Sequence, residues 1–324
     1  MKQHRTFSSG LLLASAFMAV GCAPSFYNVK EPAPSAQRYE LAGQMTTVQT
    51  TIIDERRGQD KIFSSGILLA QLKVQGKPVD PPAFLAKEIG DELKSRGLPV
   101  SVVVGSDGSP KLHLKQFHLI NHRASGFSPF FTFTYFMADM ETTLGTKRIA
   151  AYVRRGKVPV WSFDEVIDPT FNQPLDIVVK EVSSKIAADL YNYKASDEVV
   201  NQLVEKISRS RSDNTYLDVY ALGFTNNPSA IDTLVKLAHD SDEYIRQAAI
   251  SSLGTIRAVD QFELLKGLYI APSVTRQDRD MIIKAIGDLD TPDSRSFIKE
   301  EAEKASKMSD KDAIWTTRVL ALYL

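Results

Sequence analysis

The spacing of apolar positions changes along this chain, and each change marks a different kind of segment. Behind Lys2, His4 and Arg5, residues Phe7 to Val20 carry no charge. A basic start and a short apolar run read as a signal peptide over 1–21, because the run falls short of the roughly 20 residues a spanning helix needs. Residues 22–45 hold Pro24, Pro32 and Pro34 and show no apolar period, which predicts a tether.

Residues 46–194 carry an α+β pattern. Val48, Thr50 and Ile52 alternate along a strand that ends in Asp54-Glu55-Arg56. Ile67 to Val74 reads as a second, irregular strand. Pro81-Pro82 opens a helix with Phe84, Leu85, Ile89 and Leu93 at helical spacing, and Gly97 closes it. Val100 to Val104 and Lys111 to Leu119 are expected to form a hairpin across Gly105-Ser106-Asp107-Gly108-Ser109. Strands over 130–141, 148–153 and 158–163 follow, then a helix over 174–191. This order predicts a two-layer antiparallel sheet with helices on one face.

Residues 195–324 repeat. Leu203, Leu234, Leu265 and Ile298 recur at spacings of 31, 31 and 33, and Val219, Ile250, Ile283 and Val319 at 31, 33 and 36. Each unit is thus a helix pair, started at Ser196, Asn227-Pro228 and Thr291-Pro292, with Gly223, Gly254 and Gly287 expected to close the second helices. No pair can bury its apolar stripe alone, so about four pairs stack into an all-α solenoid.

Three motifs resemble known families. Ala19-Val20-Gly21-Cys22 resembles the bacterial lipobox, with Ala19 where Leu is usual. The resemblance implies cleavage before Cys22 and acyl chains on its thiol. Ala23 is not the Asp that retains such proteins in the inner membrane, so a lipid-anchored place on the outer membrane, facing the periplasm, is expected. Pro228, Leu234, Asp242, Arg246, Ala249, Ile250, Leu253 and Gly254 resemble the HEAT-repeat pattern. That family binds proteins and is not catalytic as a rule. The middle domain, with its strand running into Asp54-Glu55-Arg56, is similar to YajG-type envelope lipoproteins, which are binding or assembly modules.

Charge and cysteine content narrow the function further. Lys plus Arg and Asp plus Glu both total 39, so no global field draws the chain to nucleic acid. Cys22 is the only cysteine, and once acylated it leaves a core held without disulfides. No nucleophile elbow, metalloprotease motif or phosphate loop is found, and no enzyme activity is expected. His113, His118 and His122 lie close in sequence, but on a regular strand His113 and His118 face opposite ways, so no metal or cofactor is expected beyond the lipid on Cys22. The expected role is an adaptor or scaffold for envelope proteins, with a second copy of the chain as another partner. The alternative is a carrier or chaperone for a lipid or other apolar ligand, held between the aromatic strands and the helices.

The candidate site residues follow from these readings. Arg246 and Arg279 stand eight residues before Gly254 and Gly287. They either line a face for acidic groups or, as is commoner, pair with an acid of the adjacent repeat. Phe131, Phe133, Tyr135 and Met137 share one strand face and read as core, while Phe127, Phe130 and Phe131 form a candidate tip for lipid or another apolar ligand. Trp315, Leu320 and Leu324 lie in a final helix with no polar cap beyond it, so they are expected either to dock a partner or to turn against the α+β domain.

Overall fold

The computed structural model describes residues 25–36, 47–68, 70–125, 128–158, 162, 164–308 and 313–324. The signal segment and Cys22 lie outside the described residues, as does Phe127. Part of the expected tether does not behave as one. Ser25–Asn28 forms β1, which pairs in parallel with β4 (Ala70–Val74), and β4 pairs antiparallel with β5 (Lys77–Pro78). Val29 and Pro32 are buried, and the Ser35 hydroxyl donates to Glu92 at 2.6 Å, so residues 25–36 strap onto the domain.

The main sheet is mixed, which corrects the antiparallel expectation. Its order is β6 (Val100–Val104), β2 (Val48–Asp54), β7 (Lys111–His122), β8 (Phe130–Thr142) and β9 (Gly145–Lys157), with β3 (Ser64–Gly66) also on β7. β6 and β7 both run parallel to β2, one on each side of it. The reason lies in the helix between β2 and β6. α1 (Pro81–Ser95) carries the chain back along the sheet, so β6 re-enters in the direction of β2 as a βαβ unit. The expected hairpin is therefore absent. Residues 105–110 instead carry the chain across β2 over Thr51, whose hydroxyl donates to the Asp107 carbonyl at 2.5 Å. Gly108 sits at φ +112, and a Cβ there would collide with that hydroxyl, so the turn formers serve a crossing.

The two faces of the sheet are covered by different parts of the chain. Phe136 meets Phe117 edge to face at 6.1 Å, and Phe117 stacks with Phe84 of α1. On that same face lie α2 (Asp164–Ile167), a single π-helical segment over 168–172 and α3 (Gln173–Tyr191). Within the segment, the Thr132 hydroxyl donates to the Thr170 carbonyl and Phe130 stacks on Phe171. The strand expected at 158–163 is not seen at Val158; β9 continues from Val153 to Lys157 instead.

Among the described residues, eight helices make four pairs: α4 (Asp197–Arg209) with α5 (Thr215–Gly223), α6 (Ile231–Leu237) with α7 (Glu243–Thr255), α8 (Phe262–Ile270) with α9 (Arg276–Leu289), and α10 (Pro292–Ser306) with α11 (Ala313–Ala321). Ser196, Asp242, Thr275 and Thr291 cap α4, α7, α9 and α10 through their side chains. The repeated glycines do not end the second helices by a left-handed turn. Each lets the next second helix come close: a Cβ on Gly223 would strike Ser252, one on Gly254 would lie 2.6 Å from the Ala285 Cα, and one on Gly287 would strike Tyr323. α5, α7, α9 and α11 thus stack tightly as an inner layer.

That inner layer packs on the chain's own α+β domain, α7 against α3 and α9 against β9. At this junction Lys284 is fully buried, with Nζ 2.6 Å from Glu181 and 2.8 Å from Asp288. Lys185 adds contacts at 2.7 Å to the same two acids. Two lysines and two carboxylates cancel, and Ser251 and Thr255 accept from Lys284 as well, so the cluster is neutral and hydrogen-bonded despite its burial.

Candidate functional site

The face of β8 that carries Phe131, Phe133, Tyr135 and Met137 looks toward the repeats. Trp315 of α11 lies against Phe133, with centroids 4.1 Å apart and planes 11° from parallel. Leu320 is 1% exposed, whereas Leu324 is 58% exposed. Trp315 is therefore part of the junction between sheet and array, and Leu320 is buried. The sheet thus covers part of the fourth helix pair through Phe133.

The histidines fall on one face, contrary to expectation. β7 pairs His113 with Asp139 and His118 with Tyr135, because the register shifts between Leu114 and Gln116. This bulge inserts one residue, so an odd sequence spacing becomes an even one in space. The three rings still go to separate neighbours. His113 lies 2.8 Å from Glu55 and 3.2 Å from Glu141, His118 Nε2 lies 2.7 Å from Ser65 Oγ, and His122 meets Trp315 edge-on at 5.5 Å. Burial, aided by repulsion from Arg318, pushes His118 down to about 4. Among the described residues no group of three or more His, Cys, Asp or Glu side chains converges on a metal-sized site.

Between β7, β8, β9, α9 and α11 lies a cleft of about 280 Å³. Phe131, Phe133, Trp315 and His122 form its aromatic walls, and Arg154, Arg276, Gln277 and Asp280 bring polar groups to it. Arg154, 8% exposed, donates through Nη1 to Glu243 at 2.8 Å and lays its guanidinium 4.4 Å from the Phe131 ring centre. Asp280, 3% exposed, accepts from the Thr316 hydroxyl at 2.7 Å, and burial pushes its carboxyl up to about 6. An apolar pocket with a few convergent polar groups is the usual form of a ligand site. The sequence hinted at Asp280, since it stands three residues before Ile283 on the stripe that repeats across the units and is buried in α9. Arg154 and Arg155 likewise follow the apolar run Ile149 to Val153 of β9.

The remaining candidates occupy separate places. Arg246 pairs with Asp278 of the next repeat at 3.0 Å and donates to the Asp240 carbonyl at 2.7 Å, which is the structural role favoured for it. Arg279 is exposed and donates Nε to the Tyr269 carbonyl at 3.3 Å. Phe130 is buried and Phe131 walls the cleft, so these two do not form an exposed tip. A further tie between sheet and array went unread in the sequence: the Arg155 guanidinium lies between Tyr216, at 4.0 Å, and Tyr244, at 3.7 Å.

No helix among the described residues is long and apolar enough to cross a membrane. No curated protein matches the chain. Residues 200–287, from the first helix pair to the end of the third, match the family model described as HEAT repeats, and this part of the chain is an array of HEAT-like helical repeats.

Proposed function

We propose that the protein is a lipid-anchored envelope adaptor, attached through Cys22 and recruiting a protein partner on the outer side of its repeat array. The observation that carries this reading is the occupation of the inner helix layer by the chain's own sheet. A HEAT array that has already buried its inner face is a rigid platform, and the surfaces it leaves open are the first helices α4, α6, α8 and α10 and the groove between the second and third units. That groove, about 290 Å³, is walled by Ala238, Ile250, Leu268 and Val274 with Arg246 and Asp278 at its polar side. Ile270, at the end of α8, is 76% exposed beside it. An exposed apolar side chain next to a groove with a polar side suits a protein partner better than a reaction.

A photo-crosslinking residue at position 270, introduced in the native envelope, tests this. One discrete adduct at that position, absent when the crosslinker sits at exposed Leu144, supports the adaptor; equal labelling at both positions argues against it. Fatty-acid labelling of wild type and Cys22→Ala tests the anchor separately.

The carrier reading draws on the aromatic walls of the cleft between sheet and array. A cavity of about 150 Å³ holds one benzene, so about 280 Å³ has room for roughly twice that. This space suits a small ligand and not a whole acyl chain, so the carrier reading is the less supported.

A further inference from the structure

Arg154 and Asp280 are opposite charges, each more than nine-tenths buried, and both line the same cleft. They do not pair with each other: Arg154 is held by Glu243 and Phe131, and Asp280 by Thr316. Each keeps unused capacity. Arg154 places Nη1 on Glu243, leaving Nε and Nη2 without a hydrogen bond among the described residues, and Asp280 places only one oxygen on Thr316. These spare atoms are not among the sealed, partnerless polar atoms of the core, so a ligand in the cleft can reach them. Phe133, opposite Arg154 in the β8–β9 ladder, stacks flat on Trp315, the neighbour in the chain of the Thr316 that bonds Asp280, and Phe131 and His122 line the same cleft. Arg276 lines the same space one helical turn before Asp280, and the positive charges of Arg276 and Arg154 both favour the ionised Asp280 carboxylate against its burial.

We propose that this cleft binds a small zwitterion with a compact apolar body, its anionic group on Arg154, its ammonium on Asp280 and its apolar part against Trp315 and Phe133. The charges define the two ends and the aromatic wall defines the middle. The volume sets the size: twice the room of a benzene accommodates a ring or branched side chain together with an ammonium and a carboxylate, about a dozen non-hydrogen atoms. An apolar α-amino acid has this chemistry. The ethanolamine phosphate headgroup of a phospholipid shares the charge pair and has less apolar body. An ammonium beside Asp280 would favour the ionised carboxylate and so oppose the effect of burial on its pKa, which couples binding to proton release. The site is independent of the adaptor reading, since no lining residue belongs to the groove between the second and third units.

Titration calorimetry on the purified protein with L-phenylalanine, L-leucine, N-acetyl-L-phenylalanine, L-phenylalaninamide and glycerophosphoethanolamine tests the site. One-site binding of L-phenylalanine is expected, weakened about tenfold or more when either end is blocked, as follows from losing one charge-assisted hydrogen bond. Asp280→Asn is expected to abolish the preference for the free ammonium over the N-acetyl form, a readout that a merely structural role would leave unchanged. Arg154→Lys is expected to weaken the carboxylate end alone. Binding of glycerophosphoethanolamine with no binding of the amino acids keeps the zwitterion site and names the headgroup as its source. Equal affinity for free and blocked phenylalanine, or no binding of any of these at millimolar concentration, overturns the proposal.

Discussion

The indole of Trp315 stacks on Phe133 at 4.1 Å between centroids, joining the last helix of the array to the middle strand of the antiparallel half of the sheet. Trp315→Ala removes this pair and opens the wall of the cleft, and a loss of about 3–5 kcal/mol is expected. Leu320→Asp should be comparably severe because the side chain is buried, while Leu324→Asp should stay within about 0.5 kcal/mol. Urea unfolding of the three variants checks the contrast; similar losses at positions 320 and 324 would contradict the burial of one and the exposure of the other.

Lys284 is the centre of the buried charge cluster, bridging Glu181 of α3 and Asp288 of α9. Lys284→Met leaves two buried carboxylates to Lys185 alone. The expected cost is about 3–5 kcal/mol, and adding Glu181→Gln should recover part of it by restoring neutrality. A double variant no better than the single one would mean that charge balance is not what the cluster provides.

Asp280 gives a pH signature of definite sign. Burial raises its carboxyl from 3.8 to about 6, so the folded state holds the proton more tightly than the unfolded one. Its contribution to stability therefore falls as pH rises from about 4 to about 6 and stays lost above that. Asp280→Asn removes the ionisation and should stabilise the ligand-free protein by about 3 kcal/mol at neutral pH relative to acid. Unfolding curves at the two pH values measure it; a pH-independent effect would contradict the burial argument.

His118 works in the opposite direction on the same interface. Its pKa is lowered to about 4, first by burial and then by Arg318, while an unfolded histidine titrates near 6.5. The unfolded chain takes up the proton first, so stability is lost as pH falls from about 6.5 toward about 4. His118→Gln should flatten that part of the profile. An unchanged acid limb would assign the loss to other groups.

A fragment beginning at Ser196 is expected to be helical, since its apolar stripes stack on one another. It also exposes Trp315 and leaves Lys284 and Asp288 without Glu181 and Lys185. Its melting temperature should therefore fall well below that of the full chain by circular dichroism. A fragment as stable as the whole would show that the junction contributes little.

The helix pairs were legible in the sequence because helical burial writes a local period: the same stripe recurs every 31 to 36 residues, and caps such as Ser196 and Thr291 sit where a backbone needs them. The core strands of β2, β7, β8 and β9 were legible for the same reason, with a period of two. Strand direction was not, because Gly105 to Ser109 has the composition of a hairpin turn whether the chain reverses or crosses over Thr51, and only the pairing partner separates the two. The common face of His113 and His118 rests on one bulged residue that leaves no mark in composition. Arg154 and Asp280 are 126 residues apart in the chain, each next to another charged residue, Arg155 and Arg279, that goes to a different place. Their meeting in one cleft depends on the array folding back onto the sheet, a long-range contact that no local period encodes.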